Sequence, residues 1–115
     1  MRPRAALVYG SDWPVSTANP FHAMEVAVLR SDPAVEEGKQ LLPQEAISVD
    51  DMLVALTKGG AQLMQQEAIR GSLEPGKLAD LVLLDRDPYQ LGPNEISEVA
   101  VELTVFDGRI VHRRD

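Results

Sequence analysis

Gly71-Ser72-Leu73-Glu74-Pro75-Gly76-Lys77-Leu78-Ala79-Asp80-Leu81-Val82-Leu83-Leu84-Asp85-Arg86-Asp87-Pro88 contains a turn, a strand and a stop in direct succession. Pro75 and Gly76 occupy the central positions of Glu74–Lys77, the arrangement of a type II turn. Leu78 to Asp85 follows as a compact apolar strand, which Asp87-Pro88 ends. Further on, Val99, Val101, Leu103 and Val105 alternate with Ala100, Glu102, Thr104 and Phe106, the period of a half-buried strand. Asp107-Gly108 interrupts this run and Arg109 to His112 resumes it. Apolar runs on both sides of Asp-Gly predict a β-hairpin. Residues 70–115 therefore read as a small antiparallel β unit.

Upstream the apolar period lengthens. Met52, Leu53, Leu56, Leu63 and Met64 fall on one helical stripe, predicting a helix over 51–67. Ser48 with Asp51 three residues on is a variant of the capping box at its start. Gly59-Gly60 inside the stripe marks either close packing against a neighbour or a break. Residues 31–47, with Pro33, Gly38 and Pro43, show no period and read as a loop, in which Glu36-Glu37 is solvated. Asn19-Pro20 is an N-cap followed by proline at the first helical position. Phe21, Met24 and Val28 then predict a helix to about Arg30, stopped by Asp32-Pro33. Ala5 to Tyr9 is short, apolar and closed by Gly10, which suits a strand buried on both faces of a parallel sheet. Residues 1–69 are thus α/β in pattern, and the chain shows no internal repeat.

Composition limits the chemistry. The chain has 115 residues, 44% hydrophobic and 25% charged, as in an ordinary soluble domain. Its 11 basic and 18 acidic residues leave a net charge of −7, which argues against nucleic acid or an anionic membrane as partner. No stretch approaches the roughly 20 apolar residues of a membrane span. The apolar run after the basic Met1-Arg2-Pro3-Arg4 is too short for a signal peptide, so a cytoplasmic location is expected. Zero cysteines remove disulfides, thiolate metal sites and a Cys nucleophile. The two histidines, His22 and His112, are far apart in sequence.

The candidate site is the end of the first predicted strand. Gly10-Ser11-Asp12 puts a carboxylate where Trp13-Pro14 forbids the strand to continue. In a parallel α/β barrel such strand ends collect the catalytic groups. Asp12 is then a metal ligand or proton acceptor, or else simply the cap of its loop. Trp13 either lines a substrate pocket or covers the strand ends. His22, in the first helical turn, is a substrate contact or a solvated residue, and His112 is a surface residue. Ser11 has no neighbouring His or Lys to activate it. Asp80, Asp85 and Asp87 are better read as turn-formers than as a cation site.

Gly71–Pro88 closely resembles the late signature of metal-dependent amidohydrolases. Gly10–Val15 with Asn19-Pro20-Phe21 resembles the last barrel strand of the amidohydrolase 3, or YtcJ-like, branch. Thr104–Val111 fits that branch's closing hairpin. The resemblance implies an α/β fold, namely the C-terminal part of a (β/α)₈ barrel joined to the C-terminal strands of a small β-sandwich. Residues 5–12 would be the eighth barrel strand, 20–30 the helix after it, and 70–115 the sandwich strands. It implies hydrolysis of a non-peptide C–N bond in a small molecule, by water bound to a divalent metal, zinc by expectation. Asp12 would contact that metal and shuttle the proton. The family's His-x-His pair and remaining ligands lie upstream of the part seen in this chain. A complete barrel takes about 250 residues, and a catalytic zinc usually takes three protein ligands. The chain alone is therefore expected to be inactive, and to self-associate or dock on the missing N-terminal barrel portion. A non-catalytic binding or scaffold module and one subunit of a split hydrolase are the alternatives.

Overall fold

The computed structural model describes residues 5–33 and 39–115. Met1–Arg4 and the Glu36-Glu37 pair, with Gly38, lie outside the described residues. Helix α1 spans Pro20–Leu29. It starts as its cap dictates, with the Asn19 side-chain oxygen accepting the Phe21 N–H at 3.0 Å. It ends because Arg30 turns left-handed, with φ 60, while its N–H donates to the Val26 carbonyl. This is two residues before Asp32-Pro33. Helix α2 spans Val49–Val54, where the Ser48 hydroxyl oxygen accepts the Asp51 N–H at 3.0 Å and donates to its carboxylate at 2.8 Å. The helix continues through one π turn, Ala55–Gly59, into α3, Gly60–Leu63.

That helix stops short of the predicted Glu67, since Gln65 takes a positive φ of 57. Leu63 and Met64, expected on the helical stripe, are 69% and 66% exposed. Gly59 resolves its alternative in favour of close packing, because a Cβ there would collide with the Leu7 carbonyl oxygen. Gly60 faces open space.

The predicted strand over Ala5–Tyr9 does not form. The segment runs without ladder partners, with Leu7 and Val8 half-exposed, and a Tyr9 N–H bond to the Ala55 carbonyl at 3.2 Å ties it to the helix. A strand needs a neighbour to take up its N–H and C=O groups. The three-stranded antiparallel sheet belongs to the other end of the chain.

Its strands are β1 (Leu81–Leu84), β2 (Val101–Phe106) and β3 (Arg109–Arg113), in that order. Gly76, at φ 92, forms the predicted turn with a Lys77 N–H to Glu74 carbonyl bond of 3.1 Å. Asp107 and Gly108, at φ 49 and 73, make the hairpin turn between β2 and β3. The core is Phe21, Met24, Met52, Ile96 and Val99, so α1, α2 and the 3₁₀ turn Pro93–Glu98 share it across the 69/70 boundary. The Glu25 carboxylate, 3% exposed, accepts the Ser97 N–H at 2.7 Å and pins that turn to α1. The predicted stripe on β2 is split. A bulge brings Val101 opposite Leu84, and both touch the core, whereas Leu103 and Val105 do not.

Candidate functional site

Asp12 sits where the 5–10 segment gives way to a turn. Its φ is 51, and its carbonyl accepts the Val15 N–H at 2.9 Å. The Ser11 hydroxyl oxygen accepts the Trp13 N–H at 3.3 Å, a local turn contact and no activation of a nucleophile. Asp12 and Trp13 are both exposed, Trp13 by 68%.

His22 is exposed on the first turn of α1. It borders a cleft of about 530 Å³ with Tyr9, Thr17, Arg30, Asp32 and Met52. Asp12 and Trp13 are not in that lining, so the cleft brings His22 together with neither. The Tyr9 hydroxyl is buried beside the cleft without a hydrogen bond. In the sequence Tyr9 is only an apolar residue of the predicted strand, and its position beside Gly10 is the one signal that sets it apart.

The acidic string has structural partners. Asp80 accepts the Asp107 N–H at 2.8 Å, Asp85 the Ala100 N–H at 2.9 Å, and Asp87 the Tyr89 N–H at 2.9 Å. The hydrogen bond from Ala100, with Arg86 and Arg114 nearby, holds the Asp85 carboxyl below its usual value of 3.8. Hydrogen bonding to Asp50 raises the Tyr89 hydroxyl above the ordinary phenol value, with burial and the Asp50 charge adding to it. His112 lies on the outer strand, its Nε2 3.2 Å from the Val101 carbonyl. Among the described residues no three His, Cys, Asp or Glu side chains gather to hold a metal. None of the described helices is long and apolar enough to cross a membrane.

The described residues thus form an α/β protein in which Asp12 is an exposed turn carboxylate ahead of a helix, with a small antiparallel sheet at the other end of the chain. The amidohydrolase family model matches residues 1–112, and the chain belongs to that family. It is 39% identical over 93 residues to Protein LONG AFTER FAR-RED 3 of Arabidopsis thaliana, covering 81% of this chain and 16% of that one. It is 36% identical over 104 residues to the N-substituted formamide deformylase of Arthrobacter pascens, covering 90% and 19%. YtcJ of Bacillus subtilis is 29% identical over 105 residues, covering 91% and 20%. An amidohydrolase crystal structure from Thermotoga maritima superposes with a TM-score of 0.52 at 34% identity, covering 62% of this chain and 17% of that one. The chain therefore spans between a sixth and a fifth of these curated relatives.

Proposed function

We propose that this chain is the C-terminal region of a hydrolase of non-peptide C–N bonds, with Asp12 as its catalytic carboxylate. In this reading residues 5–12 become the eighth strand of a (β/α)₈ barrel once neighbouring strands are supplied. Residues 70–115 are the closing strands of a β-sandwich. The observation that carries it is the single continuous match over residues 1–112, which joins Asp12 to the Gly71–Pro88 signature. The deformylase relative supports the C–N bond as target by its name.

The family's divalent metal, zinc by expectation, does not fit the residues present. The donor set offers Asp12 alone, and the described residues contain no ligand cluster. The other ligands must come from polypeptide outside this chain, the N-terminal barrel portion. What this chain supplies is a carboxylate on an exposed turn, able to accept a proton and return it to a departing nitrogen. In this reading Trp13, exposed on the same turn, contacts the substrate, and His22 does so once the added barrel portion joins its separate cleft to that turn.

A chimera tests this. Residues 1–112 replace the matching stretch of the Arthrobacter deformylase, and turnover of an N-substituted formamide is measured with and without Asp12→Asn. The substitution is expected to lower turnover about 100- to 10,000-fold, the range of a lost general acid–base group. A folded, active chimera indifferent to Asp12→Asn would overturn the assignment. Stoichiometric zinc on the purified 115-residue chain alone would overturn the reading that the other ligands lie outside it.

A further inference from the structure

Asp107 is the one aspartate in the chain that a glycine follows, and the two asparagines precede Pro20 and Glu95. That position carries a chemistry of its own. The backbone nitrogen after an aspartate can attack the side-chain carboxyl carbon, and glycine puts no Cβ beside that nitrogen to hinder it. Asp107 and Gly108 are both exposed, at the tip of the hairpin between β2 and β3.

The reaction balances with water alone. The Gly108 nitrogen forms a bond to the Asp107 Cγ and gives up its proton. The Cγ–OH bond of the protonated carboxyl breaks, and the hydroxyl leaves with that proton as water. A cyclic imide remains, and a water molecule then opens it at one of two bonds. Cleavage between Cγ and the nitrogen restores aspartate. Cleavage between the backbone carbonyl carbon and the nitrogen leaves the main chain running through Cγ, as isoaspartate.

The fold occupies the attacking nitrogen. The Gly108 N–H donates to the Ala79 carbonyl at 3.1 Å, and the Asp107 N–H donates to the Asp80 carboxylate at 2.8 Å. Both acceptors lie just ahead of β1, so the lead-in to that strand clasps the hairpin's tip. Asp80 is placed in turn by Arg70, whose Nε lies 4.0 Å from its other oxygen. Ring closure needs the Gly108 nitrogen to release its proton and turn toward Cγ, which breaks the bond to Ala79. Only the locally opened turn can react.

We propose that Asp107 is a site of spontaneous isomerisation, and that Ala79 and Asp80 keep it unreacted while the sheet is intact. The consequence falls on β3. A two-residue turn of this kind requires positive φ at both positions, here 49 at Asp107 and 73 at Gly108. Isoaspartate inserts one more carbon into that turn, so β3 loses its register on β2, and with it the Arg114 bond to Glu102. The pairing of β1 with β2 does not pass through the turn and survives. The site is far in sequence from Asp12 and independent of its role.

The full chain tests this, incubated near neutral pH both folded and in urea. Enzymatic methyl labelling and peptide mapping read isoaspartate at position 107. The unfolded chain is expected to isomerise at least about tenfold faster than the folded one, the margin of one or two hydrogen bonds. Among folded chains, Asp80→Ala is expected to raise the rate about tenfold, because it removes a charged acceptor. Asp80→Asn keeps an acceptor oxygen and is expected to stay within about threefold of the parent. Chains carrying isoaspartate should exchange their β3 amides faster while the β1 amides hold. An unfolded chain that forms no isoaspartate at 107 would overturn the proposal. So would a folded parent that isomerises as fast as the unfolded chain, or a folded Asp80→Ala variant as slow as its parent.

Discussion

Ala5–Tyr9 and Leu81–Leu84 are similar apolar runs with different fates. Leu81–Leu84 is a strand with four partners on β2, while Ala5–Tyr9 hangs on the helix by the Tyr9 N–H bond to Ala55. Their β propensities do not separate them. Partner supply does. The 85–100 connection delivers β2 alongside β1 within the same chain, and the Asp107-Gly108 turn adds β3 beyond it, whereas Ala5–Tyr9 meets no second strand among the described residues. A run fit for the middle of a parallel sheet stays outside any sheet when no second strand lies beside it.

The sharpest way to test that contrast is to shorten one side chain in each run. Leu84 is half-buried and touches the core, so Leu84→Ala is expected to cost about 1–2 kcal/mol, below the 2–5 seen for fully buried leucines. Leu7 is 50% exposed, and Leu7→Ala is expected to change stability by less than about 0.5 kcal/mol. Urea unfolding followed by circular dichroism reads both. Equal losses would mean that the 5–9 segment is packed as firmly as β1.

Local chemistry was legible and distant pairing was not. Asn19, Ser48, Pro75-Gly76 and Asp107-Gly108 each act within three or four residues, and each cap or turn formed as its residue types require. Glu25 shows the limit. A glutamate between Met24 and Val26 reads as solvent-facing, yet its carboxylate is buried on a backbone N–H of Ser97, 72 residues away. The bulge that divides Val101 from Leu103 is likewise set by pairing with β1, which no alternation reveals. At the site the sequence placed a carboxylate where a buried strand ends; the structure has the turn at Asp12 but not the strand before it. The chemical meaning of that carboxylate came from family resemblance, because one aspartate without its companion ligands carries no spacing to read.

A smaller effect separates the two regions by pH. Asp85 closes the end of β1, accepting the Ala100 N–H while its own N–H donates to the Ala100 carbonyl at 3.0 Å. Its folded carboxyl is held below 3.8, chiefly by that hydrogen bond. Its stabilisation is therefore complete above the unfolded value and is lost as pH falls through the depressed folded value. The acid limb of the stability profile should flatten in Asp85→Asn, which keeps an acceptor but does not titrate. High salt should change this little, because the hydrogen bond outweighs Arg86 and Arg114. A limb erased by salt would assign it to the arginines instead.

The smallest expected effect bears most directly on the contrast. Replacing a helical glycine by alanine ordinarily stabilises by about 1 kcal/mol. At Gly59 the added methyl would meet the Leu7 carbonyl oxygen and lie 3.3 Å from the Val54 carbonyl oxygen. The helix is anchored by Met52 and Ala55, both buried, while the 5–9 segment is held weakly, so the segment should be the part that yields. Gly59→Ala is then expected to leave global stability within about 0.5 kcal/mol, the helical gain offsetting the displaced contact. Hydrogen exchange should show the Tyr9 amide losing its protection while the α1 amides keep theirs. A fall in global stability of more than about 1 kcal/mol would mean the segment is integral to the fold, and the difference from β1 would be one of geometry alone.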